Sequence, residues 1–200
     1  MDFVISGEYA TNCYIIGDGV DAIIVDPGTD FSPIKKYLDR HELTPKFVLI
    51  THAHFDHIGS VAALKSLGAK VYISETDYDF LRRAGFNSGS DESVPEFAAD
   101  ELLNDGDEFT LLNHAFRVVA TPGHTPGGLC YVMDGESIFS GDTLFKLTVG
   151  RWDFKYGNGA DLVKSLKKLF ALPGDYAVYP GHGESTTLDF ERKYNPYAAI

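Results

Sequence analysis

The chain has 200 residues, 44% of them hydrophobic, and this length predicts one compact domain whose core covers both faces of a sheet. Asp and Glu outnumber Lys and Arg by 29 to 17, and the net charge of −12 argues against binding to nucleic acid or to anionic membranes. No apolar run approaches the roughly 18 residues of a membrane span, and the first residues lack a basic leader, so we expect a cytoplasmic protein. Cys13 and Cys130 each lie in an apolar run, which predicts reduced, buried thiols.

The first half of the chain alternates strand and helix patterns. Strands are predicted at residues 2–6, 12–16, 22–25, 46–50 and 70–73, and helices at residues 32–41, 58–67 and 74–83. Ser32 is expected to cap the first helix with Pro33 at its first position, and Gly68 is placed to end the second. Residues 85–100 are rich in Gly, Ser, Asp and Pro, which predicts a loop with the composition of a mobile segment.

The second half repeats the plan of the first. Strands are predicted at residues 108–112, 116–120 and 177–179, a hairpin at 130–142, a helix at 159–172 and a short helix with a docked tail after residue 190. The hairpin resembles residues 13–26, and both hairpins end in aspartate. This order predicts an α/β (α+β) fold, a four-layer αββα sandwich of two mixed β-sheets with outer helices and pseudo-duplicated halves.

The densest group of potential metal ligands follows a predicted strand and comprises His52, His54, Asp56 and His57. Side chains two residues apart on extended backbone point the same way, so His52 and His54 can bind one target, while Asp56 and His57 lie past the bend and can face a second. Neutral imidazole and carboxylate are the ligands that zinc and its first-row neighbours prefer. The spacing therefore predicts a site for two metals, against the alternative of a polar loop whose histidines face water.

Three further candidate ligands follow predicted strands in glycine-rich turns: His124, Asp142 and His182. Any one of these turns, taken alone, is ordinary turn chemistry. Together they place potential ligands at several strand ends, which can converge on one edge of a sandwich. Of the other two histidines, His41 is expected to be exposed at a helix C-terminus, and His114 is expected in a surface turn.

Four motifs, in this chain order, resemble those of the metallo-β-lactamase superfamily: residues 51–57, Pro122-Gly123-His124-Thr125, residues 140–145 and Pro180-Gly181-His182-Gly183. The resemblance covers nearly the whole chain. It implies that His52, His54 and His124 bind one metal, that Asp56, His57 and His182 bind a second, and that Asp142 bridges the two. Three features resemble the small glyoxalase II type, the hydroxyacylglutathione hydrolases. They are the placement of His57 directly after Asp56, the sequence of residues 11–14 and the sequence of residues 150–154.

The implied chemistry is hydrolysis with two divalent metal ions, of which zinc fits best and iron or manganese are alternatives. A hydroxide shared by the two ions would attack a thioester such as S-lactoylglutathione, whose thiolate leaves without a strong acid because its reference pKa is roughly 8.5. Asp56 is the catalytic candidate, since it can hold metal and orient the attacking water. Asp26 is expected either to contact a ligand histidine or to cap its own turn.

The substrate is expected to be a small anionic thioester. Arg151 resembles, by position, a basic residue that contacts the glutathione carboxylate in related enzymes, with Lys146 and Lys155 as assisting cations. The alternative is that all three are surface charges on an acidic protein. Unlike glyoxalase II proper, the chain is expected to lack an added C-terminal helical domain and to form a single domain over residues 1–200. No feature of the sequence indicates a particular oligomeric state.

Three other functions fit the same motifs. Residues 150–154 are also similar to those of persulfide dioxygenases, in which a mononuclear iron uses the counterparts of His52, His124 and Asp142. Another hydrolase of the superfamily, such as a lactonase, would use the same metal ligands. A non-enzymatic metal-binding protein is the third, and it leaves the complete ligand set with no role beyond stabilisation.

Overall fold

The computed structural model describes residues 1–81, 87 and 96–199. The first sheet is built from β1 (Asp2–Ser6), β2 (Thr11–Gly17), β3 (Asp21–Val25), β4 (Thr44–Leu49), β5 (Lys70–Ser74) and β6 (Glu101–Leu103), in that spatial order. The β1–β2 and β2–β3 pairs are antiparallel, and the strands from β3 to β6 are parallel. The first sheet is therefore mixed, as predicted.

The remaining strands are β7 (Glu108–Leu111), β8 (His114–Ala120), β9 (Leu129–Met133), β10 (Ser137–Gly141), β11 (Leu144–Phe145), β12 (Thr148–Val149), β13 (Ala177–Pro180) and β14 (Thr186–Thr187). Six of them form the second sheet in the order β14-β13-β10-β9-β8-β7, while β11 and β12 form a separate hairpin. Only the β10–β13 pair of the second sheet is parallel. The sequence did not predict β6, β11, β12 and β14, which are two or three residues long.

Six helices are found in the described residues: α1 (Phe31–His41), α2 (Phe55–Ile58), α3 (Val61–Ser66), α4 (Glu75–Leu81), α5 (Gly159–Phe170) and α6 (Leu188–Tyr194). The predicted cap of α1 is wrong, because the Asp30 side chain accepts the hydrogen bond from the Ser32 amide at 2.8 Å. The prediction for residues 82 and 83 of the next helix, and most of the predicted loop at 85–100, lie outside the described residues. None of the helices is long and apolar enough to cross a membrane.

The single helix predicted at residues 58–67 is wrong, because the chain breaks into α2 and α3 at Gly59 and Ser60. The Ser60 amide donates to the carbonyl of Gly28 at 2.7 Å instead of to a helical carbonyl. A Cβ atom on Gly59 would lie 2.7 Å from Thr29 Cα, so the break brings the backbone against the loop after β3. This contact holds α2 beside the end of β3.

Three apolar clusters show the layer order. One cluster lies between the sheets and includes Tyr14 and Leu49 of the first sheet with Tyr131 and Phe139 of the second. A second cluster packs α1 and α3 on the outer face of the first sheet, and a third packs α5 and α6 on the outer face of the second. The αββα prediction is confirmed. Cys13 and Cys130 are free, buried thiols in the two outer clusters.

The internal repeat is also present in the topology. In the first sheet the β2–β3 hairpin is followed by α1 and then by β4, which pairs in parallel with β3. In the second sheet the β9–β10 hairpin leads, through the β11–β12 hairpin and α5, to β13, which pairs in parallel with β10. The end of β3 is therefore equivalent to that of β10, and the end of β4 to that of β13. Candidate ligands follow β4, β10 and β13, and His124 follows β8.

The C-terminal helix α6 fastens the β11–β12 hairpin through a buried carboxylate. Glu191 is fully buried and accepts hydrogen bonds from the Leu147 amide (2.9 Å), the Thr186 hydroxyl (2.7 Å) and the Asn195 side-chain amide (2.7 Å). Asn195 also donates to the carbonyl of Thr148 at 3.1 Å. Because this hairpin begins just after Asp142, the tail supports one wall of the candidate site.

Candidate metal centre

The structure brings the seven predicted ligands together at one edge of the sandwich. His52 and His54 follow β4, and Asp56 and His57 lie on α2, which begins directly after His54 and turns the chain away. The ligand atoms form two groups, each within 4.8 Å: the first half, His52, His54 and His124, and the second half, Asp56, His57 and His182. The separation of His52 and His54 from Asp56 and His57 is the one that their spacing predicts, and the places of His124 and His182 are those that the family resemblance implies. The two leftover histidines lie elsewhere.

His41 ends α1 and is exposed, as expected. The prediction for His114 is wrong, because it is the first residue of β8, where its Nδ1 lies 2.6 Å from the carboxylate of Asp134. The turn comes just before it, at Leu112 and Asn113, which have positive φ angles.

Nitrogen and oxygen atoms of both halves approach one another closely. In the first half, His54 Nδ1 lies 2.9 Å from His124 Nε2. In the second half, His182 Nε2 lies 3.2 Å from His57 Nε2 and 3.3 Å from Asp56 Oδ2. Lone pairs that converge in this way repel unless a cation or a proton lies between them.

Asp142 lies between the halves. Its Oδ1 is 3.5 Å from His57 Nε2, and its Oδ2 is 3.5 Å from His124 Nε2 and 3.6 Å from His182 Nε2. His52 Nε2 and Asp142 Oδ1 are among the buried side-chain atoms that have no hydrogen-bond partner within the described part of the chain. A buried polar atom without a partner is costly, and both atoms belong to types that bind metal. The donor set therefore fits divalent metal ions.

Hydrogen bonds on the outer side fix the orientation of three imidazoles. His124 Nδ1 lies 2.7 Å from the carbonyl oxygen of Arg151. Because a carbonyl oxygen can only accept, Nδ1 is the donor. His57 Nδ1 donates to the Asp26 carboxylate at 3.0 Å. The Thr51 hydroxyl donates to the same carboxylate at 2.6 Å, so its oxygen is free to accept from His52 Nδ1 at 3.1 Å. Each ring then directs its Nε2 atom toward the centre, which is the orientation of metal ligands.

Asp26 contacts a ligand histidine, which is one of the two roles expected for it. The residue ends β3 with a positive φ of 50°, and its Oδ1 accepts from the Thr51 amide at 2.8 Å. The Asp26 carboxylate also lies within 4.8 Å of ligand atoms of His52 and His57. Hydrogen bonds explain this proximity without a metal, because its oxygens already accept three protein donors.

The two halves differ in protonation. Burial and the neighbouring His124 lower the pKa of His54 to about 3, and burial also lowers the pKa values of His52 and His124. Burial alone would lower the pKa of His57, but Asp56, Asp142 and Asp26 surround it and raise that pKa to about 10. Burial alone would also lower the pKa of His182, but the Asp56 and Asp142 carboxylates raise it. Without metal, the first half is neutral imidazole, whereas in the second half His57 holds a proton at neutral pH.

The last ligand is attached to the first hairpin of the chain. Asn12 donates from its side-chain amide to the carbonyls of Pro180 (3.0 Å) and Gly183 (2.9 Å), and from its backbone amide to that of Gly181 (2.7 Å). The Tyr14 hydroxyl donates to Pro180 as well. These bonds give the segment at residues 11–14 a physical role, which is to hold the loop that carries His182.

Sequence reasoning missed Asp77. The sequence predicts only that it lies in the helix at residues 74–83. Its side chain is fully buried in α4 and accepts hydrogen bonds from the Ala53 amide (2.9 Å), the Thr125 hydroxyl (2.8 Å) and the Gly127 amide (2.6 Å). Burial raises the pKa of its carboxyl to about 6. An acidic residue in a first helical turn is common, so the sequence carried no signal that this one points inward.

The cations predicted to bind substrate have other partners in this structure. Arg151 forms two hydrogen bonds with the Asp153 carboxylate, at 2.9 and 3.0 Å, and its guanidinium lies 4.6 Å from the centre of the Phe154 ring. That ring lies 5.3 Å from the His54 ring, which places Arg151 on the rim of the first half. Lys146 pairs with Glu184, two residues beyond His182, and Lys155 lies over the Tyr156 ring.

A family model of the metallo-beta-lactamase superfamily matches residues 6–182. The chain belongs to this superfamily. A probable metallo-hydrolase of Bacillus subtilis, YqgX, is 34% identical over 96% of this chain and 93% of its own length. The hydroxyacylglutathione hydrolase GloC of Haemophilus influenzae is 31% identical over 94% of this chain and 93% of its own length.

Solved structures of the superfamily superpose closely. The B3 metallo-beta-lactamase BLEG-1 has a TM-score of 0.91 with 34% identity, covering 100% of this chain and 99% of its own. TTHA1623, solved in a di-iron-bound form, has a TM-score of 0.86 with 34% identity, covering 98% and 100%. ETHE1 from Myxococcus xanthus has a TM-score of 0.80 with 32% identity, covering 100% and 85%. These likenesses confirm the fold and the family resemblance.

Proposed function

We propose that this protein is a dinuclear metal-dependent hydrolase that cleaves a small anionic thioester such as S-lactoylglutathione. The observation that carries the proposal is the pair of ligand groups that share Asp142, together with the unpartnered atoms His52 Nε2 and Asp142 Oδ1. A single metal ion would leave one of the two groups unneutralised. Similarity to a hydroxyacylglutathione hydrolase along nearly the whole chain supports the choice of thioester.

The seven side chains would hold two divalent cations, with the first half on one ion, the second half on the other and Asp142 on both. Zinc is the first metal to test, and iron and manganese come next, since a structural neighbour was solved with two irons. When bound, the ions supply an acidified water and polarise the carbonyl of the substrate. The outer hydrogen bonds that the imidazoles donate to Asp26, Thr51 and the Arg151 carbonyl keep the rings in position.

Asp56 is the proposed catalytic carboxylate. Burial raises the pKa of its carboxyl, but His57 and His182 outweigh that effect and hold the pKa well below its usual range, so the group stays ionised at neutral pH. An ionised carboxylate can accept or orient the proton of the attacking water. The departing thiolate needs no strong acid, because its reference pKa is only about 8.5.

The rim of the centre suits an anionic substrate with an apolar body. Phe154 lines the first half, its ring 5.5 Å from that of His124, and the Phe145 ring lies 6.3 Å from that of His182 in the second half. Arg151 and Lys146 stand beside these rings as exposed cations. A substrate carboxylate would compete with Asp153 for Arg151 and with Glu184 for Lys146. Lys155 is the third proposed contact.

The test is a metal count combined with an activity assay. Purified protein is expected to contain close to two metal ions per chain and to hydrolyse S-lactoylglutathione, with loss of activity after chelation and recovery on adding zinc, iron or manganese. One bound metal without thioester hydrolysis would falsify the proposal. Oxygen consumption with glutathione persulfide would identify a persulfide dioxygenase instead, and hydrolysis of lactones alone would identify a lactonase.

Cleavage of β-lactams is a second candidate, favoured by one observation. The chain superposes on BLEG-1, a B3 metallo-beta-lactamase, with a TM-score of 0.91 over their whole lengths. The same preparation should therefore be assayed with a chromogenic cephalosporin beside the thioester. A kcat/KM for the cephalosporin above that for the thioester would reverse the order of the two proposals.

A further inference from the structure

Asp77 joins the two loops that carry the first half of the centre. Its Oδ2 accepts from the amide of Ala53, which lies between His52 and His54, and from the hydroxyl of Thr125, which follows His124. Its Oδ1 accepts from the amide of Gly127, in the same turn as His124. One carboxylate thus links the loop after β4 in the first sheet to the connection between β8 and β9 in the second.

The surroundings of Asp77 leave no room for a looser arrangement. A Cβ atom on Gly127 would lie 2.6 Å from Asp77 Oδ1 and 2.3 Å from Ser74 Oγ, so the His124 turn approaches α4 as closely as glycine permits. Ser74 in turn accepts a hydrogen bond from the Asp77 amide at 2.9 Å. The carboxylate is therefore fixed on both sides, and it can hold the spacing between the two loops.

The second half has no comparable contact with Asp77. His57 is held by Asp26, and the His182 loop is held by Asn12 and Tyr14. Within the described residues, the hydrogen bonds of the Asp77 side chain all go to residues that adjoin the first half. A change at Asp77 should accordingly act on one half of the centre and spare the other.

We propose that Asp77 is a positioning residue that sets the distance between the His52–His54 loop and His124. It thereby strengthens metal binding by the first half and has no effect on metal binding by the second. The proposal rests on the proposed function only in that the first half binds metal. Residues that orient metal ligands through hydrogen bonds typically change metal affinity by roughly 10–100-fold when they are replaced. A merely structural role would instead lower stability and weaken both halves together.

The experiment measures metal affinity in each half separately. His182→Ala leaves the first half intact and His54→Ala leaves the second half intact, so each background reports one site. Metal-free protein is titrated with Co²⁺, whose absorption spectrum reports the ligand geometry, and with Zn²⁺ against a chromophoric chelator. Adding Asp77→Asn is expected to weaken binding about 10–100-fold in the His182→Ala background and to leave the His54→Ala background unchanged.

Two variants of Thr125 provide matched controls. Thr125→Val removes one of the three hydrogen bonds to Asp77 and is expected to weaken the same site by a smaller factor, whereas Thr125→Ser keeps the donor and should restore it. These variants also serve if Asp77→Asn does not fold.

The outcomes separate this inference from the proposed function. If Asp77→Asn and Thr125→Val weaken both halves equally, or neither, Asp77 has no positioning role. If the unsubstituted protein binds a single ion, the dinuclear function fails, and the affinity of the His182→Ala protein with and without Asp77→Asn still decides the role of Asp77. An unsubstituted protein that binds no ion overturns both proposals.

Discussion

The two halves of the centre share Asp142 and lie side by side, yet their electrostatic character differs. The first half consists of three imidazoles whose pKa values are all lowered. It is bordered by the Asp77 carboxylate, which accepts hydrogen bonds from two backbone amides and one hydroxyl. The second half mixes imidazole with carboxylate, and Asp26 adds a further negative charge behind His57. The first half is ready to bind a cation, whereas the second must first lose a proton.

This difference shows how one fold can hold two ions of the same charge next to each other. Carboxylates concentrated in the second half offset the charge that three neutral imidazoles in the first half leave uncompensated. Asp142, in contact with both, distributes its own charge between them. Each prediction below changes one side of this comparison.

The largest effect is expected from Asp142→Ala, because it removes the carboxylate that both halves use. Loss of a metal's contribution to the transition state is worth several kcal/mol, so kcat/KM for the thioester should fall by roughly 10³-fold or more. Metal content should fall below two ions per chain at the same time. A variant that keeps both ions and its activity would show that the halves do not depend on a shared ligand.

The next largest effect is a difference in pH dependence. His57 has a pKa of about 10 in the metal-free protein, so below that pH a bound ion must displace its proton, and affinity should rise by about tenfold per pH unit. The imidazoles of the first half are already neutral above about pH 6.5, so its affinity should be flat. Between pH 6.5 and 8.5, metal titrations should show an affinity increase of roughly 100-fold for the His54→Ala protein, which keeps the second half. The His182→Ala protein, which keeps the first half, should show no change.

Calorimetry provides the control for this pH prediction. In buffers of different ionisation enthalpy, binding to the second half should release at least one proton and binding to the first half none. Equal proton release by the two halves would remove the electrostatic distinction between them.

Asp26→Ala should be the counterpart of the change at Asp77. It leaves His57 Nδ1 without its acceptor, so metal affinity in the second half should fall by about 10–100-fold while the first half loses only the indirect contact through Thr51. The measurement is the same titration in the two single-half backgrounds. If Asp26→Ala weakens the first half more, the assignment of one outer carboxylate to each half is wrong.

The smallest effects concern which rim receives the substrate carboxylate. Asp153→Asn frees Arg151 beside the first half, and Glu184→Gln frees Lys146 beside the second. Both ion pairs are exposed, and each contributes under about 1 kcal/mol of interaction free energy. The substitution that frees the cation used by the substrate carboxylate should therefore lower KM by no more than about fivefold. A drop with Asp153→Asn alone places the carboxylate at the first half. Lys164, paired with Asp161 on α5, offers Asp161→Asn as a control.

The four candidate ligands at residues 52–57 could be predicted from the residues alone because their spacing is local, whereas the assignment of His124, Asp142 and His182 to the same centre followed from the family resemblance. His52 and His54 differ from Asp56 and His57 in direction because a strand end is followed at once by a helix, and that change is visible in seven residues. The strand pattern also revealed the repeated hairpins and hence the αββα order. These features depend on periodicity and turn residues, which a single sequence displays.

What the sequence missed depends on contacts between distant segments. Asp77 gains its role only when Ala53 and Gly127 are brought to it from two different sheets. The break at Gly59 arises from packing against Thr29, and β14 exists only because β13 lies beside it. Periodicity carries no information about such meetings, since each partner has an ordinary local role of its own.

The bonds from Asn12 to the loop of His182 have a consequence for biosynthesis. The strand that holds this last ligand is synthesised before all seven candidate ligands, and His182 is synthesised after the other six. A nascent chain therefore carries His52, His54 and His124 before the cluster around Asp56 can be completed by residue 182. Metal acquisition would then be ordered in time, with the first half able to bind its ion before the second.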